Sequence, residues 1–179
     1  MKQLVVAGVI CVAFAAQATV LVPLDTKALT ERADRVVLGT VESQVARWTD
    51  DRQAIYTDVT IRVTRAYKGA VKPGERVIVR REGGVLDGVG MRVYGAAGFT
   101  VGEEVVVFIE MRGGAPYTVG MTQGKLRVTV GVDGIKHVAA ALGDVAFTRA
   151  DAAKQALQPP RRLDDFEREV RSYVVKGAQ

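Results

Sequence analysis

Between Ile55 and Thr64 the chain alternates without a break. Ile55, Thr57, Val59, Ile61 and Val63 fall on one side, and Tyr56, Asp58, Thr60, Arg62 and Thr64 on the other. Period-two alternation over this length predicts a strand with one face on a core and one in water. β-Branched residues dominate it, and Lys68-Gly69 closes it. Upstream, Asp25 or Thr26 can cap a short helix through Arg32, with Leu29 and Ala33 on its apolar side. Arg35 to Val45 reads as a strand, apolar on both faces at first and then alternating, with Gly39 marking a bulge or close contact. The polar stretch Trp48–Gln53 then links it to the organising strand as a long hairpin.

Downstream, Pro73-Gly74 marks a turn before a strand at Arg76–Arg80. Gly83 to Gly98 predicts a glycine-rich loop with Met91–Tyr94 as a short strand inside it. The unbroken apolar run Val105–Ile109 is what a strand buried on both faces looks like. A hairpin loop at Arg112–Pro116 follows, then alternation from Leu126 to Val132. Asp133-Gly134 reads as a two-residue hairpin turn with both residues at positive φ. The tail predicts a short helix at Ala152–Leu157 after Thr148-Arg149-Ala150-Asp151, and a final helix from Leu163 to Val175. Leu163, Phe166, Val170, Tyr173 and Val174 form its apolar stripe, flanked by the i,i+4 pairs Asp164/Arg168 and Glu167/Arg171. Short strands, glycine turns and a terminal helix together predict an all-β sandwich or barrel with helical trim.

Composition changes this picture mainly at the N-terminus. Met1-Lys2-Gln3, the apolar run Leu4–Ala15 and the small-x-small site Ala16-Gln17-Ala18 read as a secretory signal peptide. The run is short of the roughly 20 residues of a spanning helix. The expected organisation is therefore a leader at 1–18, a β-barrel domain at 19–145 and a helical segment at 146–179 packed on it. The protein is expected in the periplasm or outside the cell, and not as a transmembrane protein after cleavage. The single cysteine, Cys11, lies in the leader, which excludes disulfides, a thiol nucleophile and a cysteine metal site from the mature chain. The net charge of +5 is spread out, its largest clusters being the pairs Arg80-Arg81 and Arg161-Arg162.

No catalytic set assembles from these residues. His137 is alone and reads as a strand residue, since one histidine cannot build a multi-histidine zinc site. Asp50-Asp51 and Glu103-Glu104 read as solvated turn residues, lacking the spaced ligands of a calcium loop. Asp58 is expected to face Arg62 or a cross-strand cation. The Gly83–Gly90 glycines precede a strand-like stretch where a phosphate loop needs a helix. The reading is a non-enzyme with no cofactor and no metal.

Ala33–Val41, a long strand ending Tyr67-Lys68-Gly69, then Pro73-Gly74-Glu75, then Gly102-Glu103-Glu104 before Val105–Ile109 resembles the netrin/TIMP-like modules and the bacterial secreted proteins of that layout. The resemblance spans about Ala33 to Val130. It implies an OB-type five-stranded barrel, closed or partly open, with helices packed against it. In tissue inhibitors of metalloproteinases an N-terminal cysteine chelates the protease zinc; the mature terminus expected here is Thr19, so that mode is not available. OB barrels bind oligosaccharides, oligonucleotides or proteins on one face, and secretion makes nucleic acid the least expected of these.

The function expected is a secreted binding module for an extracellular or periplasmic protein, a protease included. Its expected contact residues are Asp50, Asp51, Arg80, Arg81, Met91, Tyr94 and Tyr117, on the loops and nearby strand ends. The alternative is a polysaccharide or polyanion binder using Arg76, Arg80 and Arg81 with nearby tyrosines; a hydrolase ranks last.

Overall fold

The computed structural model describes residues 20–141, 146–147 and 159–177. The leader at 1–18 and the expected helix at Ala152–Leu157 lie outside the described residues. In chain order the elements are β1 (Val20–Leu21), α1 (Thr26–Arg32), β2 (Arg35–Trp48), β3 (Ile55–Lys68), β4 (Arg76–Glu82), β5 (Gly84–Leu86) and β6 (Val89–Met91). They continue as β7 (Glu104–Arg112), β8 (Ala115–Thr118), β9 (Lys125–Val130), β10 (Lys136–Ala140), β11 (Ala146–Phe147), β12 (Arg161–Arg162) and α2 (Leu163–Lys176). Among the described residues no helix is long and apolar enough to cross a membrane.

Five strands close into a ring in the order β2-β3-β4-β8-β7 and back to β2. Every pairing in it is antiparallel except β4 with β8, which meet in parallel at Arg80 and Tyr117. This is an OB-like barrel. One edge of β7 is shared: Ile109–Arg112 pair with β8 and close the ring, while Glu104–Val107 pair with β9. Strands β9, β10 and β12 extend from there as a flap.

The alternation in β3 decides which residues fill the ring. Val59, Ile61 and Val63 join Val37, Val41, Val77, Val79, Val105, Val107 and Ile109 in the interior. A register shift opposite Leu38-Gly39 leaves Thr64 and Arg65 both exposed and turns Tyr67 to the other face. There a second core forms between the outside of the sheet and the helices. It joins Leu29, Val36, Leu38, Tyr67, Val106, Phe108, Val128, Val138, Leu163, Phe166 and Val170. The run Val105–Ile109 is thus buried on both faces because each face has its own core. Phe108 and Phe166 meet edge to face at 6.2 Å and join β7 to α2. The Glu167 carboxylate fastens α2 to β3, accepting from the Tyr67 hydroxyl at 2.7 Å and from Arg65 at 2.6 Å.

Four local expectations change. The Asp-Gly turn with both residues at positive φ is Asp87-Gly88 (51° and 77°), joining β5 to β6, so the short strand ends at Met91 and does not begin there. Asp133-Gly134 sits in a five-residue loop between Val130 and Lys136. The Asp133 carboxylate accepts from the Ile135 amide and Gly131 bonds across to Ile135, which fixes the wider turn. Val130 and Val132 consequently end up exposed. On α2, Arg168 pairs with Asp165, and Glu167 reaches the barrel in place of Arg171.

Candidate binding site at the barrel mouth

In β4, Val77 and Val79 point into the ring, and strand parity puts Arg81 on the same face at its open end. Thr57 lies across from Arg81, and its hydroxyl donates to the Gly83 carbonyl at 2.7 Å. The chain then leaves the ring as the β5–β6 hairpin. Its Asp87 carboxylate accepts the Trp48 indole N–H at 2.9 Å, and Met91 packs back so that its sulfur accepts from the Ile55 amide. The segment before β7 returns across the ring end, burying Ala97 and Phe99 among the barrel residues. Between hairpin, returning segment and β9 runs a groove of about 880 Å³, whose walls include Arg81, Met91, Tyr94, Phe99, Lys125 and Arg127.

The charges in this groove are unevenly matched. Lys125 is buried, donating to the Gly98 carbonyl at 2.5 Å and to Glu103 at 2.6 Å, with its ammonium 5.0 Å from the centre of the Phe99 ring. Burial pushes the Lys125 ammonium below its ordinary value, against the opposing pull of Glu103. Glu103 also receives the Thr100 amide at 2.7 Å and Arg127 at 3.3 Å. Glu103 is therefore a partly buried hub, correcting its expected place as a solvated turn residue; its neighbour Glu104 pairs with Lys136. Arg81 differs. Its Nε is sealed from solvent with no hydrogen-bond partner, it has no ion-pair partner among the described residues, and burial alone lowers its pKa. Buried polar groups are nearly always paired, so an Nε without a partner among the described residues is an exception.

The other sequence-predicted residues lie elsewhere. Asp50 and Asp51 form the β2–β3 tip, where Asp51 accepts the Thr49 hydroxyl and the Gln53 amide and so organises its own turn. Arg80 sits on the outer face. It is bound to Asp58 at 2.8 and 3.2 Å and stacked 3.7 Å from the Tyr56 ring centre. Tyr117, beside Arg80 in register, is covered by Arg112, which pairs with Glu82. Arg76 is held by Glu42. The groove thus brings together Arg81, Met91 and Tyr94, and leaves Asp50, Asp51, Arg80 and Tyr117 outside its walls. Phe99, Glu103, Lys125 and Arg127 were not anticipated. The one signal for the basic pair was parity, since Lys125 and Arg127 alternate with Leu126 and Val128.

His137 is a strand residue of β10 with Nδ1 3.0 Å from the Ile135 carbonyl. Among the described residues no cluster of three or more histidine, cysteine or acidic side chains is placed to hold a metal. No protein-family model matches the chain, and no curated protein matches it either.

Proposed function

We propose that this protein is a secreted, non-enzymatic binding module that engages another extracellular or periplasmic protein through the groove at its barrel mouth. The observation that carries the reading is the groove itself. It is open, part aromatic and part basic, and it holds a half-buried arginine without a counter-charge among the described residues. An unpaired buried polar group costs free energy that a ligand can recover on binding. The leader read at 1–18 supports export, and the five-stranded ring supports a netrin/TIMP-like relationship, which we propose on the same footing. A protease is one partner within this class, engaged without zinc chelation by an N-terminal cysteine.

The polyanion alternative draws less support. Of Arg76, Arg80 and Arg81, the first two are already ion-paired, with Glu42 (shared with Arg62) and Asp58 (shared with Arg47), and the third faces the opposite side of β4. Affinity capture from the protein's own periplasm and medium, at low and high salt, tests both. Protein capture should survive high salt, where electrostatic attraction is screened beyond about 8 Å at physiological ionic strength and more tightly above it. The Arg81→Glu variant should lose the captured protein; Asp50→Lys/Asp51→Lys and Arg112→Glu should keep it. Unchanged capture by Arg81→Glu, or capture of acidic polymers alone and only at low salt, would refute the reading.

A further inference from the structure

Three features of the groove converge on one kind of occupant. First, Arg81 lines it with an unpartnered Nε and no counter-ion among the described residues. Second, among the described residues its walls contain Arg81, Lys125 and Arg127 but no aspartate or glutamate. The nearest carboxylate known to serve them, Glu103, is shared between Lys125 and Arg127 and leaves that trio net positive. Third, one wall is β6, which hydrogen-bonds only to β5 among the described residues, so its other edge has no strand partner. Within β6, a Cβ built on Gly90 would meet nothing closer than Val85 at 4.0 Å, so the face of the hairpin is open at this position.

An unpaired strand edge beside a pocket is how extended peptides are bound by strand addition. A guanidinium without a partner among the described residues is suited to donate two parallel hydrogen bonds to a carboxylate. We infer that the groove takes an extended peptide segment of the partner protein along β6 and seats one of its carboxylates on Arg81. This rests on the binding-module reading and adds the ligand's chemistry to it. The carboxylate has two sources, an aspartate or glutamate side chain or the free end of a chain, and Arg81 would read either. The strand edge favours a peptide over an acidic sugar, which has no amide ladder to offer it.

The test uses the full chain as processed by the cell that makes it, and random octapeptide libraries in three chemical forms. One is amidated at the C-terminus with acidic residues included, one is amidated without them, and one lacks them but keeps a free terminal carboxylate. The expected result is binders from the first form, the third or both, naming the source. Their affinity should fall at least about tenfold when the carboxylate is replaced by an amide, as expected for a charge-assisted pair. Arg81→Gln should abolish that difference without lowering the urea midpoint of unfolding, since the guanidinium has no hydrogen-bond or ion-pair partner to lose among the described residues. Gly90→Leu puts a bulky side chain on the open face of β6 at the groove wall, and should weaken the same binders even if Arg81→Gln fails to fold. Binders from the second form as tight as the others would overturn the carboxylate assignment and leave the groove as a binding surface. Arg81-dependent binding of polygalacturonate, heparin or inorganic phosphate with no peptide binder would overturn the peptide. Peptide binding untouched by both variants would overturn the inference and the groove together.

Discussion

The Lys125–Glu103 pair makes a sharp prediction, because its two ends are not equally dependent on each other. With its side chain 1% exposed, Lys125 has two partners, Glu103 and the Gly98 carbonyl. Glu103 keeps the Thr100 amide and Arg127 when Lys125 is gone. Glu103→Ala therefore strands a buried ammonium, whereas Lys125→Met removes one and leaves its carboxylate still served. Stranding a buried charge costs about 3–5 kcal/mol. The ceiling is the cost of deprotonating the lysine instead, about 4.8 kcal/mol from its ordinary 10.5 to pH 7 at about 1.36 kcal/mol per pH unit. Lys125→Met, with an apolar stem beside Phe99, should cost less than about 1.5 kcal/mol. For a chain of this length these become a fall in Tm of about 10 °C against a few degrees. Urea unfolding followed by circular dichroism measures both. The pH dependence supplies a second readout. Folding lowers the Lys125 pKa, so between that lowered value and about 10.5 the unfolded chain binds more protons and stability rises with pH. Lys125→Met should remove that rise. If Lys125→Met costs as much as Glu103→Ala, the pair is mutually dependent and the reasoning fails.

Other predictions follow from single contacts. Gly39→Ala would drive a Cβ into the Arg62 carbonyl at the β2–β3 register shift, and should destabilise by about 2 kcal/mol in the same unfolding assay. Tyr67→Phe removes the hydroxyl that donates to Glu167 and should cost about 1 kcal/mol, loosening α2 from β3 as seen by faster hydrogen exchange in the helix. Burial first and Glu167 second hold the Tyr67 phenol well above its ordinary value. The folded chain thus keeps a proton that the unfolded chain loses above about pH 10, and stability falls with rising pH there. Tyr67→Phe should remove that fall and leave the tyrosinate absorbance change up to about pH 11 unaltered. Asp58→Asn weakens the two-pronged hold on Arg80, a partly exposed pair, and should cost about 1 kcal/mol or less.

The fold was legible where one residue property decided the outcome. Alternation placed Val59, Ile61 and Val63 inside the ring, and an unbroken apolar run placed Val105–Ile109 between two cores. A cap at Asp25 or Thr26 was readable from residue type, and it is the Asp25 carboxylate that accepts the Ala28 amide. Legibility failed where two similar signals competed. Asp87-Gly88 and Asp133-Gly134 are the same dipeptide, and only the first adopts the tight turn. Val85, Leu86 and Val89 beside it pair across a hairpin, while Asp133 spends its carboxylate on Ile135. Dipeptide chemistry permits a turn; the register of the flanking strands selects it.

The groove was half legible for a related reason. Arg81, Met91 and Tyr94 were accessible to a reading of loops and strand ends, but the face on which each falls depends on parity counted from the barrel interior. Arg80 and Arg81, adjacent and chemically identical, receive opposite fates. One is held on the outer face by Asp58 and Tyr56, and the other is turned inward at the ring end with no ion-pair partner among the described residues. Lys125 was illegible on different grounds. Its alternation with Leu126 and Val128 showed that it faces away from the helix-side core, and an outward face is ordinarily in water. What buries it is the returning segment with Ala97 and Phe99, about 27 residues earlier in the chain. Pairing Lys125 with Glu103 offsets part of that burial within the fold, whereas Arg81, brought to the same opening by the parity of β4, has no counter-charge among the described residues. Stability alone would favour an apolar residue at position 81. The asymmetry between these two cations is therefore the strongest reason to place ligand recognition at the barrel mouth.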